Sequence, residues 1–454
     1  MTDAMRGARR VVLAPDAYKE SLSAPEARRA MRAGVERAAR EAGVEVEIVD
    51  APISDGGAGF VEALRDAQTD VVRQIEVSGP LGERVLGTLL LKPAPSGAEQ
   101  RIPRIVARSA AIGALAGLIV GPWGGFFAGA AAAMLAFAGA FLLHPLLRDR
   151  ARFETAALEM SSAAGLMLVP REQRDPERTT TYGVGELIKA ALDEGVRSIL
   201  IGIGNSGTTD GGAGMAAALG ARFCDEHDRL IERPSGGDLL RIARVDIGSL
   251  DTRLDGVEVI VACDVKNALC GPEGSARVFG PQKGATPEQV ERLDKGLRNY
   301  ANRLAQAGFK TDPDAPGMGA AGGIAFGLAV FCNARLTPGA ALVMDATGFD
   351  EWLRASLPTM LLTGEGRLDG QSLSGKATYE AGRRAKDARA RTVALPGSVG
   401  DGWQRATHVR GGVFDEVRVI APDELPTDMA LRRAGELLER AAYESTRQWI
   451  TSTA

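Results

Sequence analysis

Short apolar runs alternate with glycine-rich polar loops and amphipathic stretches along most of the chain. Residues 11–14 predict a buried strand, and residues 24–42 predict a helix whose apolar side chains fall on one face. Further strands are predicted over residues 45–49, 198–203, 257–261, 359–362 and 393–395, and further helices over residues 213–219, from about 377, and from 429 to about 449. Strand, glycine-rich loop and helix in repeated succession predict an α/β fold with ligands at the carboxyl ends of the strands.

One segment departs from this pattern, because residues 109–147 contain no Asp, Glu, Lys or Arg. Its longer half, residues 124–143, has the roughly 20 residues that a helix needs to cross a bilayer. Arginines flank the segment on both sides, which favours a membrane hairpin over residues 105–147 with both ends in the cytosol. An interfacial or re-entrant segment and a self-association surface are the alternatives. A homodimer is a separate expectation.

Composition narrows the function classes. A chain of 454 residues suits two domains, and its net charge of −4 without a basic run argues against a nucleic-acid partner. The four cysteines form no CxxC pair and indicate buried thiols in a reducing compartment. The first ten residues are polar and lack the apolar core of a signal peptide, so the cytoplasm is the expected location.

The loop from Gly202 to Gly207 has the form GxGxxG after a predicted strand. A dinucleotide fingerprint should open directly into a helix, whereas Thr208 to Gly212 intervene here. The exposed N–H groups of such a loop form an anion cradle whatever the anion is. Nucleotide binding and a plain strand-to-helix turn both remain open.

A second loop, Gly370 to Ala377, approaches the P-loop pattern GxxxxGK[ST] but has alanine where that pattern needs a hydroxyl. Lys376 would hold a phosphate as a point charge, or it is a solvated lysine in a turn.

Acidic and basic residues follow several predicted strands. Asp55 and Asp210 each open an Asp-Gly-Gly triplet, and Asp264 follows another strand. Carboxylates at strand ends bind magnesium or accept a proton from an attacking hydroxyl, although a single one is more often a turn or helix cap. Cations for an anionic ligand are found in three polar loops, at Lys19, Lys283 and Arg367.

Taken together, these loops closely resemble the bacterial glycerate kinases that share an APDSFKGSLSA opening, which stands here as APDAYKESLSA over residues 14–24. Further matches follow in order over nearly the whole chain outside residues 94–152: ISDGGAG at 53–59, SGPLG at 78–82, TTTYG at 179–183, SGTTDGGAGM at 206–215, ACDV at 262–265, FGPQKGAT at 279–286, AAGG at 320–323 and TGEGRLDGQ at 363–371.

The resemblance implies a flavodoxin-like parallel-sheet domain made of residues 1–77 and 288–454, and an inserted mixed α/β domain over residues 78–287, which the apolar helical insert at about 100–150 interrupts. It also implies that ATP and Mg²⁺ are used to convert D-glycerate to 2-phosphoglycerate. On that basis we assign Asp55 and Asp210 as catalytic, and Asp264 and Glu365 as metal ligands. The acceptor would contact Asp16, Lys19, Ser21 and Arg367, and the nucleotide would contact Asn205, Ser206, Gly207, Thr208, Lys283 and Lys376.

The chain departs from the family pattern at Ala58, where a glutamate is usual, and at Glu20, where a glycine is usual. Two alternatives therefore stand beside the kinase. A nicotinamide-dependent oxidoreductase would use the loop from Gly202 to Gly207 and bind NADH without ATP. A catalytically weak, membrane-tethered binding protein would use the apolar insert as an anchor and would not consume ATP.

Overall fold

The structure is a computed structural model that describes residues 8–18, 20–57, 59–94, 153–354, 356–370, 372–407, 409, 411–422 and 424–452. Within these residues the strands are β1 Arg9–Pro15, β2 Val46–Asp50, β3 Val71–Ser78, β4 Arg84–Pro93, β5 Phe153–Glu159, β6 Ser198–Gly202, β7 Arg222–Cys224, β8 Leu230–Ile231, β9 Arg244–Asp246, β10 Glu258–Ala262, β11 Arg335–Thr337, β12 Thr359–Gly364, β13 Arg367–Leu368, β14 Arg391–Ala394, β15 Ser398–Val399 and β16 Glu416–Val417.

The α-helices in the same residues are α1 Ala24–Ala42, α2 Phe60–Leu64, α3 Ser161–Ala164, α4 Tyr182–Asp193, α5 Ala213–Ala218, α6 Ser275–Phe279, α7 Pro287–Gln306, α8 Ile324–Phe331, α9 Gly339–Thr347, α10 Phe349–Leu353, α11 Ala377–Asp387, α12 Thr427–Arg432 and α13 Ala434–Ser452. The predicted α/β fold is confirmed.

In the described part of the chain the first sheet has five strands in the order β2-β1-β12-β14-β16, and all of these pairs are parallel. Counted among its own strands the order is 2-1-3-4-5, so the direction of winding reverses between β1 and β12. In open parallel sheets a ligand binds outside the carboxyl ends of the strands at this switch point. The loops that begin at Asp16 and Glu365 are therefore placed for binding.

Helices cover both faces of the first sheet. Val11 and Leu13 face one side, where α1 and α13 pack against them. Val12 and Ala14 face the other side, where α9, α10 and α11 pack. Alternation along one fully buried strand therefore builds two apolar layers, as expected for a parallel sheet between helices.

The second sheet is mixed. Among the described residues it has six strands in the order β11-β10-β6-β5-β4-β3, with antiparallel pairing only at the β3-β4-β5 side. Helix α9 connects it to the first sheet. Ala340 and Met344 pack in the layer beneath the first sheet, whereas Leu342 and Val343 pack with Ile260 of β10. This shared helix fixes how the strand ends of the two sheets are positioned.

Most predicted elements agree with the structure within one or two residues, but the predicted last helix, 429–449, is divided into α12 and α13. The strands of the second sheet extend from Val71 to Thr337, a longer segment than the inserted domain assigned to residues 78–287, and the domain boundaries stay a prediction. In the described part of the chain no helix is both long and apolar enough to traverse a bilayer. The predicted hairpin of residues 105–147 lies outside the described residues.

Candidate active site

A cavity of about 390 Å³ lies at the carboxyl ends of β6 and β10 in the second sheet. We call it the acid cavity, because Asp55 and Asp264 both line it. Asn205, Ser206 and Lys283 line it as well. These five residues come from four separate loops, and the sequence had marked each of them as a site residue. The structure therefore brings part of the predicted site together.

Glycines allow the loops of the acid cavity to meet backbone to backbone. The Gly204 N–H donates to the Gly56 carbonyl at 3.1 Å, and a Cβ on Gly204 would lie 2.5 Å from the Gly57 Cα. Gly56 has φ of 87°, in the left-handed region that glycine adopts without strain. Asn205 also has positive φ, at 59°, which asparagine tolerates better than most residues. The Asp-Gly-Gly and Gly-Asn-Ser motifs thus shape the cavity wall.

The two carboxylates of the acid cavity are each held by a backbone N–H group, and Asp264 is affected by Asp55. Asp55 Oδ1 accepts the Gly57 N–H at 3.1 Å, and Asp264 Oδ1 accepts the Gly339 N–H at 2.9 Å. Although Asp264 is partly exposed at the cavity, crowding of its carboxyl group by protein atoms, with a further contribution from Asp55, raises its pKa to about 7. A carboxylate with such a pKa can exchange a proton near neutral pH.

Lys283 is the cation of the acid cavity and is only 2% exposed. Its Nζ donates to Ser206 Oγ at 2.8 Å and to the Thr208 carbonyl at 2.6 Å. Burial lowers the pKa of Lys283 to about 7, against the opposing effect of Asp210. An anion in the cavity would stabilise the charged form and raise this pKa.

Asp210 lies behind the cavity wall and is fully buried. Its carboxylate accepts hydrogen bonds from Thr181 N and Oγ1, both at 2.7 Å, and from the Gly212 and Gly214 N–H groups. Burial raises its pKa, and these hydrogen bonds act in the opposite direction. In this conformation the carboxylate organises the loop before α5, and a hydroxyl group of a bound substrate cannot reach it.

Two predicted nucleotide contacts also lie behind the wall. Gly207 and Thr208 are buried, and the Gly207 carbonyl accepts the Thr179 hydroxyl at 3.0 Å. The Thr208 Oγ1 is buried and has no hydrogen-bond partner among the described residues. These residues hold Lys283 in place through the Thr208 carbonyl.

A second charged group lies at the switch point of the first sheet. The Asp16 N–H donates to the Gly364 carbonyl at 2.9 Å, which ties the end of β1 to the end of β12. Glu365 follows directly, is 7% exposed, and lies 3.8 Å from Lys376 Nζ at the start of α11. Arg367 is close to Asp369, with 3.9 Å between Nε and a carboxylate oxygen. We call Asp16, Glu365, Arg367 and Lys376 the switch-point group.

Glu365 has the features of a functional carboxylate. Burial raises its pKa to about 7, although Lys376 and a hydrogen bond with the Ser372 side chain act in the opposite direction. Its Oε1 is buried without a hydrogen-bond partner among the described residues. Since buried polar atoms are nearly always paired, an unpaired carboxylate oxygen at a strand end indicates a place for a ligand.

The remaining predicted residues have different outcomes. Ser21 lines a separate, mainly apolar cavity beside the first sheet. Lys19 lies outside the described residues. The two assigned metal ligands belong to different sheets, since Asp264 follows β10 and Glu365 follows β12. In the described ranges, no three His, Cys, Asp or Glu side chains are grouped to hold a metal ion.

Comparison with known proteins gives the family. The glycerate kinase family model matches residues 11–99 and 141–450. The chain belongs to the glycerate kinase family. It is therefore a phosphotransferase that phosphorylates glycerate, and use of ATP follows from membership of a kinase family. Residues 100–140, most of the apolar insert, are not matched.

Individual relatives agree with this assignment. A protein named glycerate kinase from Halalkalibacterium halodurans is 36% identical over 95% of this chain and 96% of its own. A protein named glycerate 2-kinase from Escherichia coli K12 is 37% identical over 86% of this chain and 86% of its own. The crystal structure of a Salmonella typhimurium LT2 protein, provisionally assigned as glycerate kinase 2, has a TM-score of 0.73 at 34% identity and covers 98% of this chain and 99% of its own.

Family membership supports the kinase over the oxidoreductase that was the alternative for the loop from Gly202 to Gly207. The local geometry agrees, because α5 begins only at Ala213 and not directly after Gly207.

Several cavity residues were missed by the sequence analysis. Cys263, Leu166 and Met167 line the acid cavity, and Tyr18 lies under the switch-point group. Tyr18 and Cys263 lie inside two of the family-like motifs, APDAYKESLSA and ACDV. Leu166 and Met167 carry no chemical signal that would have identified them.

Proposed function

We propose that the protein transfers the terminal phosphate of ATP to D-glycerate and forms 2-phosphoglycerate, in the cleft between the carboxyl ends of the two sheets. One observation carries the choice of site: Asp55, Asp264, Asn205 and Lys283 converge on one cavity although the chain separates them widely. A small hydroxy-acid and a polyphosphate are both anions, and each needs cations and backbone N–H groups.

In this proposal ATP spans the cleft. Its phosphates lie between Lys376 at the start of α11 and the loop of Asn205 and Ser206 with Lys283. Helix α11 adds the partial positive charge of its N-terminus. Glycerate lies with its carboxylate toward Arg367, whose planar guanidinium binds both carboxylate oxygens. Lys19 and Asp16 would complete this side.

Asp55 is the proposed catalytic base, because it lines the acid cavity whereas Asp210 does not. It orients the acceptor hydroxyl and takes its proton as the phosphoryl group moves. Asp264, with its pKa of about 7 and its position beside Asp55, shares the cavity and is the alternative base. Asp210 is assigned a positioning role, since it holds the loop that carries Ser206 and Thr208.

Magnesium fits the switch-point group. The unpaired Oε1 of Glu365 is the kind of hard oxygen donor that Mg²⁺ prefers, and Asp16 lies close enough to affect the pKa of Glu365. Since Mg²⁺ commonly uses one or two carboxylates together with phosphate oxygens, a cluster of three protein carboxylates is not required. The ion would neutralise phosphate charge. Asp264 as a metal ligand stays a prediction.

The architecture supports a flavodoxin-like assignment of the first domain, since its sheet order is 2-1-3-4-5. The location in the cytoplasm, membrane association through residues 105–147 and a homodimer stay predictions.

The test is a coupled ADP-release assay with ATP and D-glycerate, followed by phosphorus NMR of the product. The proposal expects ADP release that depends on D-glycerate and a product resonance of 2-phosphoglycerate. NADH and L-glycerate serve as control substrates. Turnover with NADH alone, or a product phosphorylated at another hydroxyl, contradicts the proposal.

A further inference from the structure

A cavity of about 330 Å³ adjoins the first sheet and has no role in the site described so far. We call it the apolar cavity. Tyr18, Gly366 and Gly397 line its floor at the ends of β1, β12 and β14. Its walls include the aliphatic side chains of Ile420, Leu425 and Leu431. None of the described residues that line it is charged.

The apolar cavity adjoins the switch-point group. Gly366, which lines the cavity, directly follows Glu365. The Tyr18 hydroxyl donates to the Leu395 carbonyl at 2.6 Å, so the tyrosine ring is fixed between the cavity and the strand ends. Glu365 and Asp16 are near enough to Tyr18 to add to the effect of burial in raising its pKa. An uncharged compartment and a charged, cation-bearing one are therefore neighbours.

We propose that the apolar cavity binds the nucleobase of the phosphate donor, a purine held between the aliphatic walls and the glycine-lined floor. This inference rests on the proposed function, because it needs ATP as the donor. A purine nucleotide has one flat, uncharged end and one polyanionic end, which matches the two compartments. Glycerate is charged and too small to gain from aliphatic walls. A volume of about 330 Å³ is within the usual range for small-molecule sites. Ser21, predicted as an acceptor contact, becomes a contact of the nucleoside.

Filling the cavity tests the inference. Ala430 lines it from α12 and is only partly buried, so Ala430→Trp places an indole in the cavity without disturbing either main core. Met429→Trp, on the same helix but 43% exposed, is the matched control. The A430W variant should raise the KM for ATP by about tenfold or more. Its KM for glycerate and its inhibition constant for inorganic tripolyphosphate should each stay within about twofold of the wild-type value. The M429W variant should leave all three within about twofold of the wild type.

Three outcomes overturn the inference. The first is an equal KM for ATP in the A430W and M429W variants. The second is a rise in the KM for glycerate alone in A430W. The third is a loss of tripolyphosphate affinity in A430W as large as its loss of ATP affinity. A wild-type protein that does not use ATP with glycerate contradicts the proposed function itself, and this separates the two failures.

A measurement on the wild-type protein covers the case in which A430W does not fold. Adenosine should slow amide hydrogen exchange over residues 419–431, and tripolyphosphate should not. Protection of this segment by D-glycerate, or by neither probe, contradicts a nucleobase site.

Discussion

Lys283 provides the sharpest test of the electrostatics. Its amine is 2% exposed, and burial lowers its pKa from 10.5 to about 7. At about 1.4 kcal/mol per pKa unit, keeping the folded protein charged at this position below pH 7 costs on the order of 5 kcal/mol. The perturbation is Lys283→Met, which keeps most of the side-chain volume and removes the amine.

The sign of the pH dependence of stability follows from the number of protons that the folded and unfolded states bind. Between pH 7 and 10.5 the unfolded chain binds a proton at this lysine and the folded protein does not, so this group makes the free energy of unfolding rise with pH in that window. Below pH 7 both states bind the proton and the cost is fully present. We therefore expect the wild type to gain about 1.4 kcal/mol per pH unit relative to K283M between pH 7 and pH 9.

Urea unfolding of both proteins at pH 6, 7, 8 and 9 measures this difference. Lys295→Met removes an exposed lysine of α7 and serves as the control. The difference in unfolding free energy between wild type and K295M should not change with pH, because water surrounds that side chain in both the folded and the unfolded state. Inorganic tripolyphosphate should flatten the wild-type slope, since an anion in the acid cavity keeps Lys283 charged. A gap between wild type and K283M that is constant from pH 6 to pH 9 refutes the argument.

Three further predictions follow from the site. Asp55→Asn should lower kcat about 100-fold or more with unfolding unchanged, whereas Glu62→Gln, an exposed acid on α2, should leave kcat unaltered; equal kcat values for the two variants would rule out Asp55 as the base. Gly364→Ala should lower the free energy of unfolding, measured with urea, by more than about 2 kcal/mol, because the new Cβ would overlap the Tyr18 hydroxyl. An unchanged unfolding midpoint would contradict that packing. Glu365→Gln should raise the Mg²⁺ concentration for half-maximal activity about tenfold. In the wild type that concentration should rise as pH falls through about 7, because protonation removes the donor, and E365Q should lose this dependence.

Elements with strong local signals could be predicted from the sequence. Helix α1 begins at Ala24 and ends at Ala42, as predicted, and the structure shows why: Ser23 and Glu26 form a capping box, and Gly43 adopts φ of 63° at the C-terminus. The rule that ligands bind at the carboxyl ends of strands also located Asp55 and Asp264, which now line one cavity.

Properties that arise only from packing could not be predicted. Asp55 and Asp210 open identical Asp-Gly-Gly triplets, yet Asp55 is exposed to the acid cavity and Asp210 is fully buried. Nothing local distinguishes them, because the burial of Asp210 depends on Thr181 and on the start of α5.

The apolar cavity could not be predicted from the sequence either. Its walls are ordinary aliphatic residues after β16 and on α12, with no motif among them. The sequence predicted a single helix over residues 429–449 and did not predict the break at Arg433 that separates α12 from α13.

The central claim is that the strand ends of the two sheets form one site for both substrates. A crystal structure with a non-hydrolysable ATP analogue, Mg²⁺ and D-glycerate tests it most directly. The account predicts the phosphates between Lys376 and Lys283, and the glycerate hydroxyl within hydrogen-bonding distance of Asp55. Density for the two ligands on separate surfaces, away from Asp55 and Glu365, would contradict it.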